Sequence, residues 1–227
     1  MREIIFDTET TGLDPKSGDR LVEIGCIEMV NRVTTGRTFH AYFHPERSMP
    51  AAAEAVHGLS DAFLSDKPLF SAHVDELLEF IGDSPLVAHN AGFDFGFLDA
   101  EFALCARDPV CRSRMIDTVA LARVRHPGAK LSLDALCTRY GIDRSHRTMH
   151  GALLDAELLA QVYVELTGGR QIGLELAGES HDALLASVVT AVRQRVFRPA
   201  RPHLASETEL AAHVAFMESV KAPVWYA

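Results

Sequence analysis

Five side chains in this sequence have the types and spacing to hold a cation and move a proton: Asp7 and Glu9 in IIFDTETTG, Asp94 in HNAGFDFGFLDAE, and His150 and Asp155 in RTMHGALLDAELLA. Asp7 and Glu9 stand one residue apart at the end of an apolar run, and the period of two along a strand turns both carboxylates to one face. Side by side they repel unless something neutralises them, and hard oxygen donors suit Mg2+ or Mn2+. The alternative is a solvated pair at a loop edge. Asp94 lies among Phe93, Phe95, Phe97 and Leu98, where a buried carboxylate is costly unless paired or coordinated. It could equally be a first-turn acid at a helix N-terminus facing solvent, and both roles can hold at once. His150 and Asp155 are five residues apart, about 140° around an ideal helix. His150 must therefore lie at or just before the helix start, where Gly151 lets the chain swing it over Asp155. A histidine there, otherwise a surface or capping residue, titrates near neutrality and can accept a proton.

These residues need elements to hold them. REIIFD (2–7) reads as a strand running into the loop TETTGLDPKSGD. RLVEIGCIEMV (20–30) and TFHAYFHP (38–45) read as strands on either side of a turn region, NRVTTGR, which predicts an antiparallel meander. Then SAHVDELLEFIG (71–82) has helical spacing, PLVAH (85–89) is a short buried strand, and FDFGFLDAEFALCA (93–106) is again helical. LSLDALCTRYG (131–141) predicts a helix ended by Gly141, and 150–169 a longer one stopped by Gly168 and Gly169. Residues 1–170 are thus expected to form one α/β domain with a central mixed sheet flanked by helices. Residues 171–205 read as a linker with a helical period over 182–197. Residues 206–227 open on S-E-T-E, a capping-box spacing, and place Leu210, Val214, Met217 and Val220 on one stripe. A stripe with so little chain around it calls for a partner, unless the helix folds back on its own domain.

Composition sets bounds. The chain has 227 residues, 48% hydrophobic and 23% charged, which fits one domain with an appendage. No stretch of eighteen or more uncharged apolar residues occurs, and acids interrupt the first apolar run, so neither a membrane span nor a signal peptide is expected and the cytoplasm is the expected location. Cys26, Cys105, Cys111 and Cys137 lie far apart without a C-x-x-C pair, which predicts reduced, partly buried thiols. The net charge of −9 is opposite in sign to the footprint of a protein that grips nucleic acid by charge. Carboxylates that hold cations remove part of that objection, because the bound metals invert the local field.

Taken in order, FDTETTG, HNAGFDFGFL and HGALLDAELL resemble the three motifs of the DEDDh family of 3′→5′ exonucleases, and within it the proofreading branch that serves bacterial replicative polymerases. The likeness continues through VHGLSDAFLSDKP (56–68), SLDALCTRYGID (132–143) and the closing W-x-A, and is looser in the C-terminal third. It implies an RNase H-like fold in which Asp7, Glu9, Asp94 and Asp155 hold two divalent cations, Mg2+ or Mn2+, with Asp7 bridging them and His150 as general base. All five positions are filled, which weighs against a non-catalytic clamp or polymerase adaptor. Asp117 in MIDTVALAR recurs in the family as a supporting acid, with a buried, backbone-bonded role as the alternative. The resemblance assigns the DNA 3′ end to Thr10, Thr11, Leu13, His57, Asn90 and Phe93, with Leu13 and Phe93 wedging and stacking the terminal base without reading it. Gln171–Leu176 resembles a sliding-clamp peptide, with an ordinary linker as the alternative. Residues 206–227 resemble a tail that docks on the alpha subunit of the polymerase, which would cover the stripe and Trp225. A tethered nuclease meets its substrate at high effective concentration, so weak intrinsic DNA affinity is expected. A second reading, a related exonuclease acting on RNA or repair intermediates, shares all of the same site residues.

Overall fold

A computed structural model of the protein describes residues 1–147, 149–169 and 204–220. The chain divides into two units, Met1–Glu175 and Leu176–Ala227. In the first, β1 (Arg2–Thr10), β2 (Leu21–Val30), β3 (Val33–Tyr42), β4 (Leu86–Ala88) and β5 (Met115–Asp117) form one sheet in the order β3-β2-β1-β4-β5. β1, β2 and β3 run antiparallel, whereas β4 and β5 lie parallel to β1, so the sheet is mixed as expected.

The apolar run of β1 is buried on both faces because helices cover both. Ile4 and Phe6 belong to a core shared with α3 (Val74–Ile81) and α4 (Gly92–Leu104). Ile5 belongs to a second core, with α5 (Thr118–Arg125), α6 (Leu133–Tyr140) and α7 (Ala152–Leu166). Burying one fully apolar side chain contributes about 1.5–3 kcal/mol, and Ile4, Ile5 and Phe6 are each at most 1% exposed. Alternation then fixes direction: Asp7 and Glu9 share the parity of Ile5 and face the α7 layer, whereas Thr8 shares that of Phe6 and faces α4.

Two boundaries differ from expectation. β1 continues to Thr10, three residues beyond the predicted strand, so Asp7 and Glu9 stand within the ladder opposite Gly25 and Glu23. The β2–β3 turn is only two residues, Asn31 and Arg32, with φ of 50° and 66°. That paired left-handed geometry matches the right-handed twist of a hairpin, and it returns Val33–Arg37, expected as turn, to the sheet. Four elements carry no sequence expectation: α1 (Ala51–His57), α2 (Asp61–Leu64), β5 and α5.

In the second unit, α8 (Glu207–Ser219) begins on the expected capping box between Ser206 and Glu209. The single-stripe expectation is revised. Val220 falls past the last helical residue, and Phe216, 63% exposed, lies about 120° around the helix from Leu210. The Gln171–Leu176 segment, the helical period at 182–197 and Trp225 lie outside the described residues.

Candidate active site

Asp7, Glu9, Asp94, His150 and Asp155 all line one cleft of about 270 Å3, at the end of β1 and beside the turn that follows β4. A crevice at the carboxyl ends of parallel strands, where the connections diverge to opposite sides, is the usual ligand position in open α/β sheets. β1 supplies Asp7 and Glu9 to it. α4 supplies Asp94 in its first turn, only 2% exposed, where the Thr8 hydroxyl donates to its Oδ1 at 2.7 Å. Asp94 therefore combines the helix-terminal and the buried role.

Asp155 comes from the first turn of α7, and its approach depends on Gly25. That glycine pairs with Asp7 across the β1–β2 ladder. A Cβ there would stand 2.3 Å from Leu153 N and 2.5 Å from Ala152 C. Only a residue without a side chain lets the α7 backbone lie this close to the sheet. Gly151 precedes the helix in extended conformation and brings His150 Nδ1 to 3.0 Å from Asp155 Oδ2, the swing expected from their spacing. His150 is further tied down by its backbone N–H, which donates to Val56 O of α1 at 3.3 Å.

The electrostatics of the cleft are those of crowded acids. Burial, reinforced by Asp94, Glu9 and Asp155, holds the Asp7 carboxyl well above the usual carboxylate range. Burial and the nearby Asp155 and Glu23 push Glu9 up to about 8, with Arg147 opposing. Asp94 is pushed up to about 7, chiefly by burial, against the lowering effect of the Thr8 hydrogen bond. Such a set is relieved by a hard cation. Ligand atoms of Glu9, His150 and Asp155 lie within 4.8 Å of one another, and the oxygen-rich donor set fits a divalent ion.

The six residues expected at the DNA end are dispersed around this cleft. Phe93 lines it and packs on Phe97 with ring centroids 5.0 Å apart. The others stand outside its lining. Thr10 Oγ1 donates to Gly12 O, and Thr11 Oγ1 accepts from Arg20 N, so both hydroxyls brace the loop that carries Leu13. Leu13 itself is 84% exposed. His57 is buried; its Nδ1 accepts from Leu59 N, and its Nε2 has no partner among the described residues. Asn90 holds a φ of 65°, and its backbone N–H donates to Asp117 Oδ1, which also caps α5 through Val119 N. Asp117 therefore has the backbone-bonded role, steadying the turn before α4.

Sequence reasoning missed Arg147, Asp134, His89 and Thr8, all of which line the cleft. Arg147 donates to both Asp155 oxygens, at 2.5 and 2.7 Å. Its place three residues before His150 carried the one available signal. His89 Nδ1 sits 2.9 Å from Thr118 Oγ1.

Comparison with known proteins places these features in a family. The RNase_T exonuclease family matches residues 4–163. A Rickettsia felis protein named DNA polymerase III subunit epsilon is 49% identical over 225 residues, covering 97% of each chain. The Escherichia coli K12 protein of the same name is 43% identical, covering 97% of this chain and 93% of its own. A solved structure of exonuclease X in complex with 5′ overhanging duplex DNA has a TM-score of 0.55 at 26% identity, covering 72% of this chain and 90% of its own.

Proposed function

The chain belongs to the RNase_T exonuclease family, and from that premise we propose that it is a 3′→5′ exodeoxyribonuclease that proofreads replication as the epsilon subunit of DNA polymerase III. The observation that most supports this reading is the meeting of four carboxylates and His150 in one cleft. The names and near-complete coverage of its relatives support the assignment to replication.

Asp7, Glu9, Asp94 and Asp155 would hold two divalent cations, Mg2+ or Mn2+, which when bound would supply Lewis-acid stabilisation of charge on the scissile phosphate. His150, its ring against Asp155 and 45% exposed, takes the proton of the attacking water. The water oxygen bonds to phosphorus as the P–O3′ bond breaks. A nucleoside 5′-monophosphate leaves, and the departing O3′ takes up a proton from solvent to give the shortened strand its new 3′-hydroxyl. Phe93 stacks the terminal base and Leu13 wedges it from its pair, with Thr10, Thr11, His57 and Asn90 arranged around the strand end. A frayed, mispaired end costs less to unpair, which gives selectivity without base reading.

The proposed organisation is an exonuclease domain (1–170), a clamp-binding segment and linker (171–205) that engages the sliding clamp through Gln171–Leu176, and a tail (206–227) on the polymerase alpha subunit. No described helix is long and apolar enough to cross a membrane, and we place the protein in the bacterial cytoplasm with the replisome. The test is digestion of 5′-labelled DNA and RNA, matched and mismatched at the 3′ end, by wild type and His150→Ala with Mg2+. Shortening from the 3′ end of DNA, faster on mismatched ends and lost in the variant, is expected. Preference for RNA would favour the second reading, and no shortening by wild type would refute the nuclease assignment.

A further inference from the structure

Arg147 is the one lysine or arginine among the described residues lining the cleft. Four of its five N–H donors are directed at cleft groups. Nε and Nη2 take the two Asp155 oxygens, Nη1 donates to Asp134 Oδ1 at 2.7 Å, and Nη2 lies 2.6 Å from His150 Nδ1. The side chain is only 9% exposed.

Two consequences follow from donor and acceptor chemistry. A guanidinium has donors only, so its contact with Nδ1 uses the ring lone pair there, and neutral His150 must then carry its proton on Nε2. In that form neither nitrogen has a free lone pair. Yet Nδ1 is also 3.0 Å from Asp155 Oδ2, and donation along that line requires the other tautomer, which frees Nε2 to accept a proton. The ring serves Arg147 or Asp155, but not both. Asp155 faces a similar choice. A fork held on both oxygens occupies the directions a cation would use, and two positive centres a few ångströms apart repel strongly in a partly buried site.

We propose that Arg147 is a displaceable internal counter-ion, competing with the divalent cation for Asp155 and, on moving toward Asp134, releasing His150 into the tautomer that can accept a proton. Asp134 is suited to receive it, being bonded to Arg147 already, half exposed, and within 2.9 Å of Arg144. The inference rests on Asp155 being a cation ligand. It makes Arg147 a positioning residue, whereas a plain strut joining the 141–150 segment to α6 and α7 would only stabilise the fold.

Calorimetric titration of the full chain with Mn2+ separates these roles. Arg147→Gln is expected to bind Mn2+ on the order of tenfold tighter than wild type, and Arg147→Lys, which keeps the charge but loses the fork, to fall between them. Unchanged or weaker binding by Arg147→Gln, or Arg147→Lys binding no tighter than wild type, would overturn the proposal. Should either variant fail to fold, the wild type decides by nitrogen-15 NMR of the His150 ring. Mg2+ is expected to move the proton from Nε2 to Nδ1, and a ring unchanged by saturating Mg2+ would overturn the proposal. Absence of any Mn2+ binding by folded wild type would instead remove the cation reading of the cleft, and this inference with it.

Discussion

Gly25→Ala should cripple the site without touching a polar group. The added Cβ would lie 2.3 Å from Leu153 N, 2.4 Å from Leu153 Cα and 2.5 Å from Ala152 C, whereas ordinary contact begins at 3.4 Å. All three obstacles are backbone, so no side-chain rotation relieves them, and the first turn of α7 must retreat by about 1 Å. Overpacking of this kind costs roughly 1–3 kcal/mol, or about 2–12 °C of melting temperature at about 2–4 °C per kcal/mol for a domain of this size. The functional loss should be larger. Asp155 and His150 ride on that turn while Asp7 and Glu9 stay on β1, and a misplacement of about 1 Å can cost on the order of 100-fold in rate. The assay is shortening of a 5′-labelled mismatched primer at saturating Mg2+, with melting temperature measured in parallel. Gly96→Ala, whose Cβ meets only Pro15 Cγ at 4.0 Å, is the control and should stay within about twofold of wild type, since a helical glycine gains rather than loses from Cβ. Activity of Gly25→Ala within threefold of wild type would refute the claim that this glycine sets the distance between the two halves of the site.

Without added metal, stability should fall as pH rises. Glu9 and Asp94 have folded-state values of about 8 and about 7, above their ordinary 4.5 and 3.8, so between those limits the folded chain binds more protons than the unfolded one. Each group then removes up to about 1.4 kcal/mol per pH unit, and the loss levels off once pH passes the folded values. Melting in EDTA from pH 5 to 9 reads this directly; a flat or rising curve contradicts it, and saturating Mn2+ should shrink the slope. Leu13→Ala should change stability by less than about 0.5 kcal/mol, because the side chain is 84% exposed, yet slow removal of paired 3′ ends more than that of single-stranded ones. Equal rates on both substrates would remove Leu13 from the wedge role. Asp117→Ala should cost about 1–2 kcal/mol through the lost α5 cap and the freed Asn90 turn, with activity reduced but measurable; complete loss with the fold intact would indicate a direct role in the chemistry.

Periodicity carried the long elements well. β1 shows an apolar run at Ile4–Phe6 and β2 is apolar at most of its ten positions, and the α4 and α7 segments are long enough for a helical period to stand out. β5 and β4 have three residues each, below the length at which strand alternation is visible, and only the wholly apolar LVA betrayed β4. α1 and α5 are short, and their exposed faces and lack of long apolar spacing left no stripe to find. Taken singly, each of the five central site residues had an ordinary alternative; they were legible because FDTETTG, HNAGFDFGFL and HGALLDAELL occur in that order and together resemble one family's motifs. Arg147 lies outside those motifs. Its importance arises when the 141–150 segment meets α6 and α7, and nothing about an arginine in a polar loop announces that meeting. The extent of β1 was misjudged because Thr-Glu-Thr reads as loop by composition. Pairing with β2 overrides that weak preference.

The close seat of α7 on the sheet at Gly25 also bears on when the site comes into being. Asp7 is supplied by the first strand of the chain and Asp155 by the last helix among the described residues of the same unit, so their approach is among the most non-local contacts in the fold. Contacts of that kind carry a large loop-closure cost. During synthesis, a chain that has made its sheet but not yet docked α7 holds Asp7, Glu9 and Asp94, and lacks both His150 and the fourth carboxylate. On the proposed assignment of these residues, such a molecule would be unable to cut, and the activity would arise only once α7 is in place.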